Sequence, residues 1–266
     1  MKDIDLLMKA ADEIAKEINK RYPRGGGGMI VKGGQNDDPT KEIDMVAENT
    51  VLEWLKENHL NWNLISEESG WKDRGGDLTL LLDPIDGTYN AIYGIPFYST
   101  SLALVRNADP RTILSGVVAN IMTGSRFWAE RGGGAYMDGE AIGTREYCPH
   151  EAVFSSFLGQ DAVEENHKLF SLPRRARYFG CISLEMCFVA KGSLDLFALF
   201  YRTPRITDIA AAHLILTEAG GENMKIDHSN NLSRYEPGDE EEIKGVISLG
   251  DGRALKAIKE CLGVGI

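Results

Sequence analysis

A mixed fold, α+β in its first half and α/β in its second, is the class that the sequence predicts, and three observations carry it. Apolar residues recur at helical spacing near the start, a series of strand-like runs with short connections follows, and from about Glu151 strands and helices alternate. These textures predict two subdomains, 1–147 and 148–266, meeting near Thr144 to Glu151. With 266 residues and 43% hydrophobic content, the chain has enough apolar side chains for a large core.

Ile4, Leu7, Met8, Ala11, Ile14, Ala15 and Ile18 make the stripe of a first amphipathic helix. The glycines from Gly25 to Gly28 then break it. No lysine and hydroxyl follow them as a phosphate loop requires, so the run reads as a mobile turn. A second helix is expected after Pro39, with Ile43, Val46, Ala47, Val51, Trp54 and Leu55 inward and with Asp44 and Glu48 one turn apart on another face. The runs "WNLIS", "LTLLL", "FYSTSLALV", "TILSGVVANIM" and "SRFWAE" predict strands, and their short connections imply an antiparallel sheet. Asp138-Gly139 suits a two-residue hairpin turn. Beyond the boundary the order is strand "AVFSSFL", helix "SLEMCFVAKG", strand "SLDLFALF", helix "TDIAAAHLILTEAGG", strands "ENMKID" and "GVISLG", and helix "GRALKAIKECLG".

A formal charge of −11 argues against a nucleic-acid partner, because phosphate-backbone binders carry basic faces. The first residues lack the apolar h-region of a signal peptide, and no run is long and apolar enough to span a bilayer, so no membrane partner is expected. Cys148, Cys181, Cys187 and Cys261 show no framework or CxxC spacing. They read as reduced thiols of a cytoplasmic protein.

Chemistry concentrates where apolar runs stop. In "LLLDPIDGTYN" the strand ends at Asp83, Pro84 interrupts pairing, Asp86 follows, and Gly87-Thr88 opens a helix whose free N–H groups favour an anion. Acids beside an anion pocket would repel the anion unless hard divalent ions bridge the two. "NLISEES" repeats the pattern at Glu67 and Glu68, and Asp208 opens the helix in "TDIAAAHLILTEAGG", where it reads either as an N-cap or as a third ligand. Two residues separate Asp83 from Asp86, whereas phosphatases that form an aspartyl-phosphate intermediate have one between their aspartates. Water activated by metal is therefore favoured over covalent catalysis.

The segments "SEES", "DPIDGTYN" and "TDIAAAHLILTEAGG", in that order, resemble the signatures of the inositol monophosphatase family of lithium-sensitive, Mg²⁺-dependent phosphatases, which includes fructose-1,6-bisphosphatases. "GVVANIMTGSRFWAERGGGAYMDGEAI" and "GCISLEMCFVAKGSLDLF" extend the similarity over nearly the whole chain. The resemblance implies a layered α/β/α/β/α sandwich, two or three Mg²⁺ ions and a homodimer. It implies that Glu67, Asp83 and the Ile85 carbonyl hold the first metal, and that Asp83, Asp86 and Asp208 hold the second. Glu67 would also serve a weaker third. Asp44 and Thr88 would orient and deprotonate the attacking water, and Gly87 and Thr88 would offer N–H groups to phosphate. Substrate contacts would come from Asp86, Ile182, Tyr201, Arg202 and Arg174.

The chain departs from that pattern in "FYRTPRITD". Tyr201, Arg202 and Arg205 stand where inositol-specific members place a glutamate, and Thr207 replaces the usual tryptophan. Arginine suits a second phosphate better than a polyol hydroxyl. The expected activity is therefore Mg²⁺-dependent hydrolysis of a sugar or polyol phosphate, inositol 1-phosphate or fructose 1,6-bisphosphate. A 3′(2′)-phosphoadenosine phosphatase on the same fold and a non-catalytic regulatory paralogue are the alternatives.

Overall fold

The computed structural model describes residues 2–33, 39–157, 167–200, 204–229, 231–239 and 243–263. Helical periodicity yields α1 (Asp3–Arg21), followed by the short paired strands β1 (Ile30–Gly33) and β2 (Pro39–Lys41), and then α2 (Glu42–Glu57). A first sheet is built from β3 (Asn63–Ser66), β4 (Gly70–Lys72), β5 (Leu78–Asp86), β6 (Ser99–Arg106), β7 (Ile113–Asn120), β8 (Arg126–Glu130), β9 (Ala135–Met137) and β10 (Glu140–Ile142), with α3 (Thr88–Tyr93) after β5. Its order is β10-β9-β8-β7-β6-β5-β3-β4. A second sheet contains β11 (Val153–Phe157), β12 (Arg175–Arg177), β13 (Leu196–Phe200), β14 (Glu222–Asp227), β15 (Leu232–Arg234) and β16 (Ile243–Leu249), in the order β12-β11-β13-β16-β14-β15. Helices α4 (Ile182–Ala190), α5 (Ile206–Glu218) and α6 (Ala254–Leu262) complete the chain.

Period-two alternation stacks these elements in five layers. Leu80, Leu82, Leu102 and Leu104 face α1 and α2, while Leu81, Ala103 and Val105 between them face α4 and α5. The second sheet turns Phe197, Leu199 and Val246 towards α4 and α5, and Leu196, Ala198 and Ile247 towards α6. This is the α/β/α/β/α sandwich. It explains why α4 and α5 are apolar almost all round: both lie between two sheets.

Several expectations need correction. The first sheet is not wholly antiparallel, because β3 and β5 run parallel, with β4 folded back on the outer side of β3. Pro39 begins a short strand, and α2 starts only at Glu42. Pro84 does not end pairing. The β5–β6 ladder slips between Asp83 and Asp86 and resumes at Asp86, opposite Ser99. The glycine run is packed rather than loose: a Cβ on Gly25, at φ 83°, would come within 2.5 Å of the Gly94 nitrogen. Arg175–Arg177, for which the sequence showed no strand signal, form an edge strand whose three residues are exposed, with arginines at both ends.

Candidate active site

A cavity of about 430 Å³ opens where β5, α3, the β3–β4 turn and the first turns of α4 and α5 converge. The hydrogen bond from Glu67 N to Leu82 O, 3.1 Å, carries the β3–β5 pairing into the turn and brings Glu67 alongside the end of β5. Asp83 sits at that end, 2% exposed, and Asp208 lies in the first turn of α5, 3% exposed. One carboxylate oxygen from each of Glu67, Asp83 and Asp208 falls within 4.8 Å of the other two. An all-oxygen donor set of this kind suits a hard divalent ion such as Mg²⁺.

Asp44 projects from the first turn of α2, and its Oδ1 accepts a hydrogen bond from Thr88 Oγ1 at 3.1 Å. The same hydroxyl lies 2.9 Å from the Ile85 carbonyl oxygen, so Thr88 is held between a side chain and the bulged end of β5. Burial, reinforced by the Glu68 carboxylate, pushes Asp44 up to about 7 against the pull of its Thr88 hydrogen bond. Gly87 takes φ 85° at the start of α3, and a Cβ there would lie 3.1 Å from the Gly180 carbonyl oxygen. Glycine lets α3 begin hard against the loop that leads into α4.

Asp86 stands outside the cluster of three acids but lines the same cavity. Its carboxylate accepts from Ser183 N and Oγ, both at 2.6 Å, from Ile182 N at 3.2 Å and from Cys181 Sγ at 3.2 Å. Burial raises its pKa while these donors oppose the rise. Ile182 and Asp86 both line the cavity, as do Gly87 and Thr88. Arg174 is exposed and is not part of the lining, a correction to its expected substrate contact. It precedes the outermost strand of the second sheet and faces solvent. Tyr201 and Arg202 lie outside the described residues.

Sequence reasoning assigned no role to Lys41, Asn90 or Glu185, and noted Glu68 only as an acid at a strand end. Lys41 and Glu68 line the cavity, and Asn90 Nδ2 donates to the carbonyls of Phe97 and Phe179, both at 2.7 Å, which ties α3 to the wall formed by residues 179–182. Glu185 is buried behind that wall and accepts from Phe179 N at 2.8 Å. Burial pushes it up to about 8. Arg205, just ahead of α5, forms an ion pair with Glu67. The only linear signals were the position of Glu68 at a strand end and the arginines before Asp208.

Residues 2–261 match a sequence profile described as the inositol monophosphatase family. A fructose-1,6-bisphosphatase/inositol-1-monophosphatase of Methanocaldococcus jannaschii is 35% identical over 236 residues, 85% of this chain and 90% of that protein. A bifunctional NADP phosphatase/NAD kinase of Methanococcus maripaludis is 34% identical over 240 residues, 82% of this chain but 42% of the relative. A crystal structure of an inositol monophosphatase-fructose 1,6-bisphosphatase superposes with a TM-score of 0.84 at 30% identity, covering 98% of this chain and all of that one.

Proposed function

The chain belongs to the inositol monophosphatase family, and from that premise we propose that it is a Mg²⁺-dependent phosphoric monoester hydrolase acting on inositol 1-phosphate and fructose 1,6-bisphosphate. The observation that carries the reading is the meeting of Glu67, Asp83 and Asp208 within 4.8 Å of one another, in the cavity that the Asp44–Thr88 pair also lines. In this proposal Glu67, Asp83 and the Ile85 carbonyl would hold one ion, and Asp83, Asp86 and Asp208 would hold a second. A third ion would share Glu67. Divalent ions in such a site polarise phosphoryl oxygens and make water more acidic.

The protein's own part is proton handling and orientation. Thr88 Oγ1 donates to Asp44 Oδ1, so the hydroxyl is aligned to take a proton from an attacking water as it passes its own to the carboxylate. Asp44, buried at the head of α2, is placed to receive that proton. Gly87 and Thr88 present backbone N–H groups ahead of Ala91 N, the amide that bonds back to Gly87 O. Asp86, fixed by four donors from the start of α4, and Ile182 line the side on which the leaving group would lie.

Release of inorganic phosphate from inositol 1-phosphate, fructose 1,6-bisphosphate, 3′-phosphoadenosine 5′-phosphate and NADP⁺, with and without Mg²⁺, tests the reading. Turnover of the first two and loss of it in EDTA are expected, and inactivity on every compound would reject it. A nucleotide-directed reading is kept because the NADP phosphatase/NAD kinase relative is nearly as similar as the sugar phosphatase. Preference for 3′-phosphoadenosine 5′-phosphate or NADP⁺ would select it. A non-catalytic paralogue would be expected to lose a ligand or a member of the Asp44–Thr88 pair, and all are present.

Lithium sensitivity belongs to the same proposal. Li⁺ is similar in size to Mg²⁺ and carries half the charge, so after hydrolysis it would occupy the site of Asp86 and Asp208 and trap phosphate, and inhibition should be uncompetitive or noncompetitive towards substrate. A strictly competitive pattern would contradict this. A homodimer and a cytoplasmic location complete the proposal. They are supported by the exposed apolar side chains of Tyr89, Tyr93 and Ile95 on and beside α3, and by four cysteines without disulfides.

A further inference from the structure

Helix α2 carries two buried acids one turn apart, and only Asp44 has a part in the chemistry above. Glu48 is 4% exposed, on the same helix as the fully buried Ala47, Val51 and Leu55. Its Oε2 accepts a hydrogen bond from Ser66 Oγ at 2.5 Å, and its Oε1 accepts one from Lys72 Nζ at 3.2 Å. Ser66 is the last residue of β3 and Lys72 the last of β4. One carboxylate therefore grips both strands of the reversal that carries Glu67 and Glu68. Ser66 Oγ in turn accepts Glu68 N at 3.4 Å, and Thr40 Oγ1, from β2 just ahead of α2, donates to the Glu68 carboxylate.

Stability does not account for an acid at this position. Burying a carboxylate forfeits its hydration, and a pair with a partly exposed lysine returns only some of that loss, so an apolar residue of similar volume would hold α2 to the sheet as well or better. What an apolar residue could not do is fix the hydroxyl of Ser66. Partners behind a metal ligand set its orientation, and losing one weakens metal binding by roughly 10- to 100-fold.

We propose that Glu48 is a positioning residue that, through Ser66, holds the β3–β4 turn in the conformation that brings the Glu67 carboxylate up to Asp83 and Asp208. This rests on the reading of Glu67 as a metal ligand. Glu48 itself touches neither metal nor substrate.

Isothermal titration of the full-length, metal-free protein with Mn²⁺ alone tests the proposal without reference to turnover, alongside thermal melting of the metal-free forms. Glu48→Leu and Ser66→Ala should each weaken Mn²⁺ binding by about 10- to 100-fold. Glu48→Gln keeps an oxygen for the Ser66 hydroxyl and should stay within about three-fold of wild type. The double variant should be no weaker than the worse single one, since both break the same route. Wild-type Mn²⁺ affinity in Glu48→Leu and Ser66→Ala, even with a lowered melting temperature, would overturn the proposal. So would a Glu48→Gln as impaired as Glu48→Leu, because charge alone would then be acting. Should Glu48→Leu fail to fold, Ser66→Ala decides. Glu67→Gln separates the two claims: if it binds Mn²⁺ normally, Glu67 is not a ligand and the underlying reading fails, whereas loss in Glu67→Gln alone overturns only the role of Glu48.

Discussion

Asp83 is the carboxylate on which the proposed site turns, standing at the slip in the β5–β6 ladder with 2% of its surface exposed. Asp83→Asn keeps its size but replaces one acceptor oxygen with an NH₂ donor and offers a neutral amide to a hard cation. Phosphate release should fall by at least about 100-fold, beyond the loss typical of outer partners, while circular dichroism stays unchanged. Near-normal turnover at saturating Mg²⁺ would remove Asp83 from the ligand set. Arg205 acts in the opposite sense, because its guanidinium pairs with Glu67 and competes with any cation arriving there. The pair is partly exposed, and such pairs contribute roughly 0.2–1 kcal/mol. Arg205→Gln should therefore tighten Mn²⁺ binding by up to about five-fold in calorimetry, and weaker binding would show that the arginine assists the metal. Strand-end acids such as Asp83 are legible in sequence because charge follows directly on a buried run. Glu48 is not: four residues from Asp44 on a helix, it has the spacing of a solvent-facing acid, and only the fold reveals that the face is covered.

At the scale of elements, α5 links both sheets, and His213 on it illustrates the cost of that position. Ser248 Oγ donates to Asn223 Oδ1 at 2.6 Å, which turns Asn223 Nδ2 towards His213 Nδ1 at 3.0 Å. The imidazole must accept there, and burial, with Arg234 and Arg131 nearby, depresses its pKa from 6.5 to about 4. The unfolded chain thus takes up a proton near pH 6.5 that the native protein refuses until about pH 4. The stabilising contribution is complete above pH 6.5 and is lost progressively as pH falls towards 4, a change on the order of 3 kcal/mol. Urea unfolding at pH 7.5, 5.5 and 4.5 should show a steeper acid decline in wild type than in His213→Gln, and parallel declines would refute it. Long helices such as α1 and α5 are legible because several turns of periodicity accumulate. Strands of three or four residues, such as β1, β4, β12 and β15, carry too few residues to display a period of two. The parallel pairing of β3 with β5 was hidden because β4 turns back between them in sequence.

Across the whole molecule, the clustered acids come from both halves of the chain: Glu67 and Asp83 from the first sheet and Asp208 from the layer between the sheets. A cation bound there would hold sheet and central helix together, so it should stabilise the fold as a unit. At Mg²⁺ concentrations about 100 times the dissociation constant, binding adds roughly 2.7 kcal/mol. For a chain of this size that raises the melting temperature by roughly 5–10 °C, readable by calorimetry against EDTA. The rise should vanish in Asp83→Asn, and a rise that persists would place the responsible ion elsewhere.

The placement of Asp208 on the middle layer also bears on the moment at which the protein becomes competent. Ribosomes release the first sheet, complete with Glu67, Asp83 and the Asp44–Thr88 pair, before α5 has been made. A nascent chain at that stage holds most of the proposed catalytic groups yet lacks one wall of the cavity and one of its three clustered acids. In the order of synthesis the proposed reactive centre is therefore completed by α5, the second-last of the described helices, so the three acids would come together only once that helix packs on the first sheet.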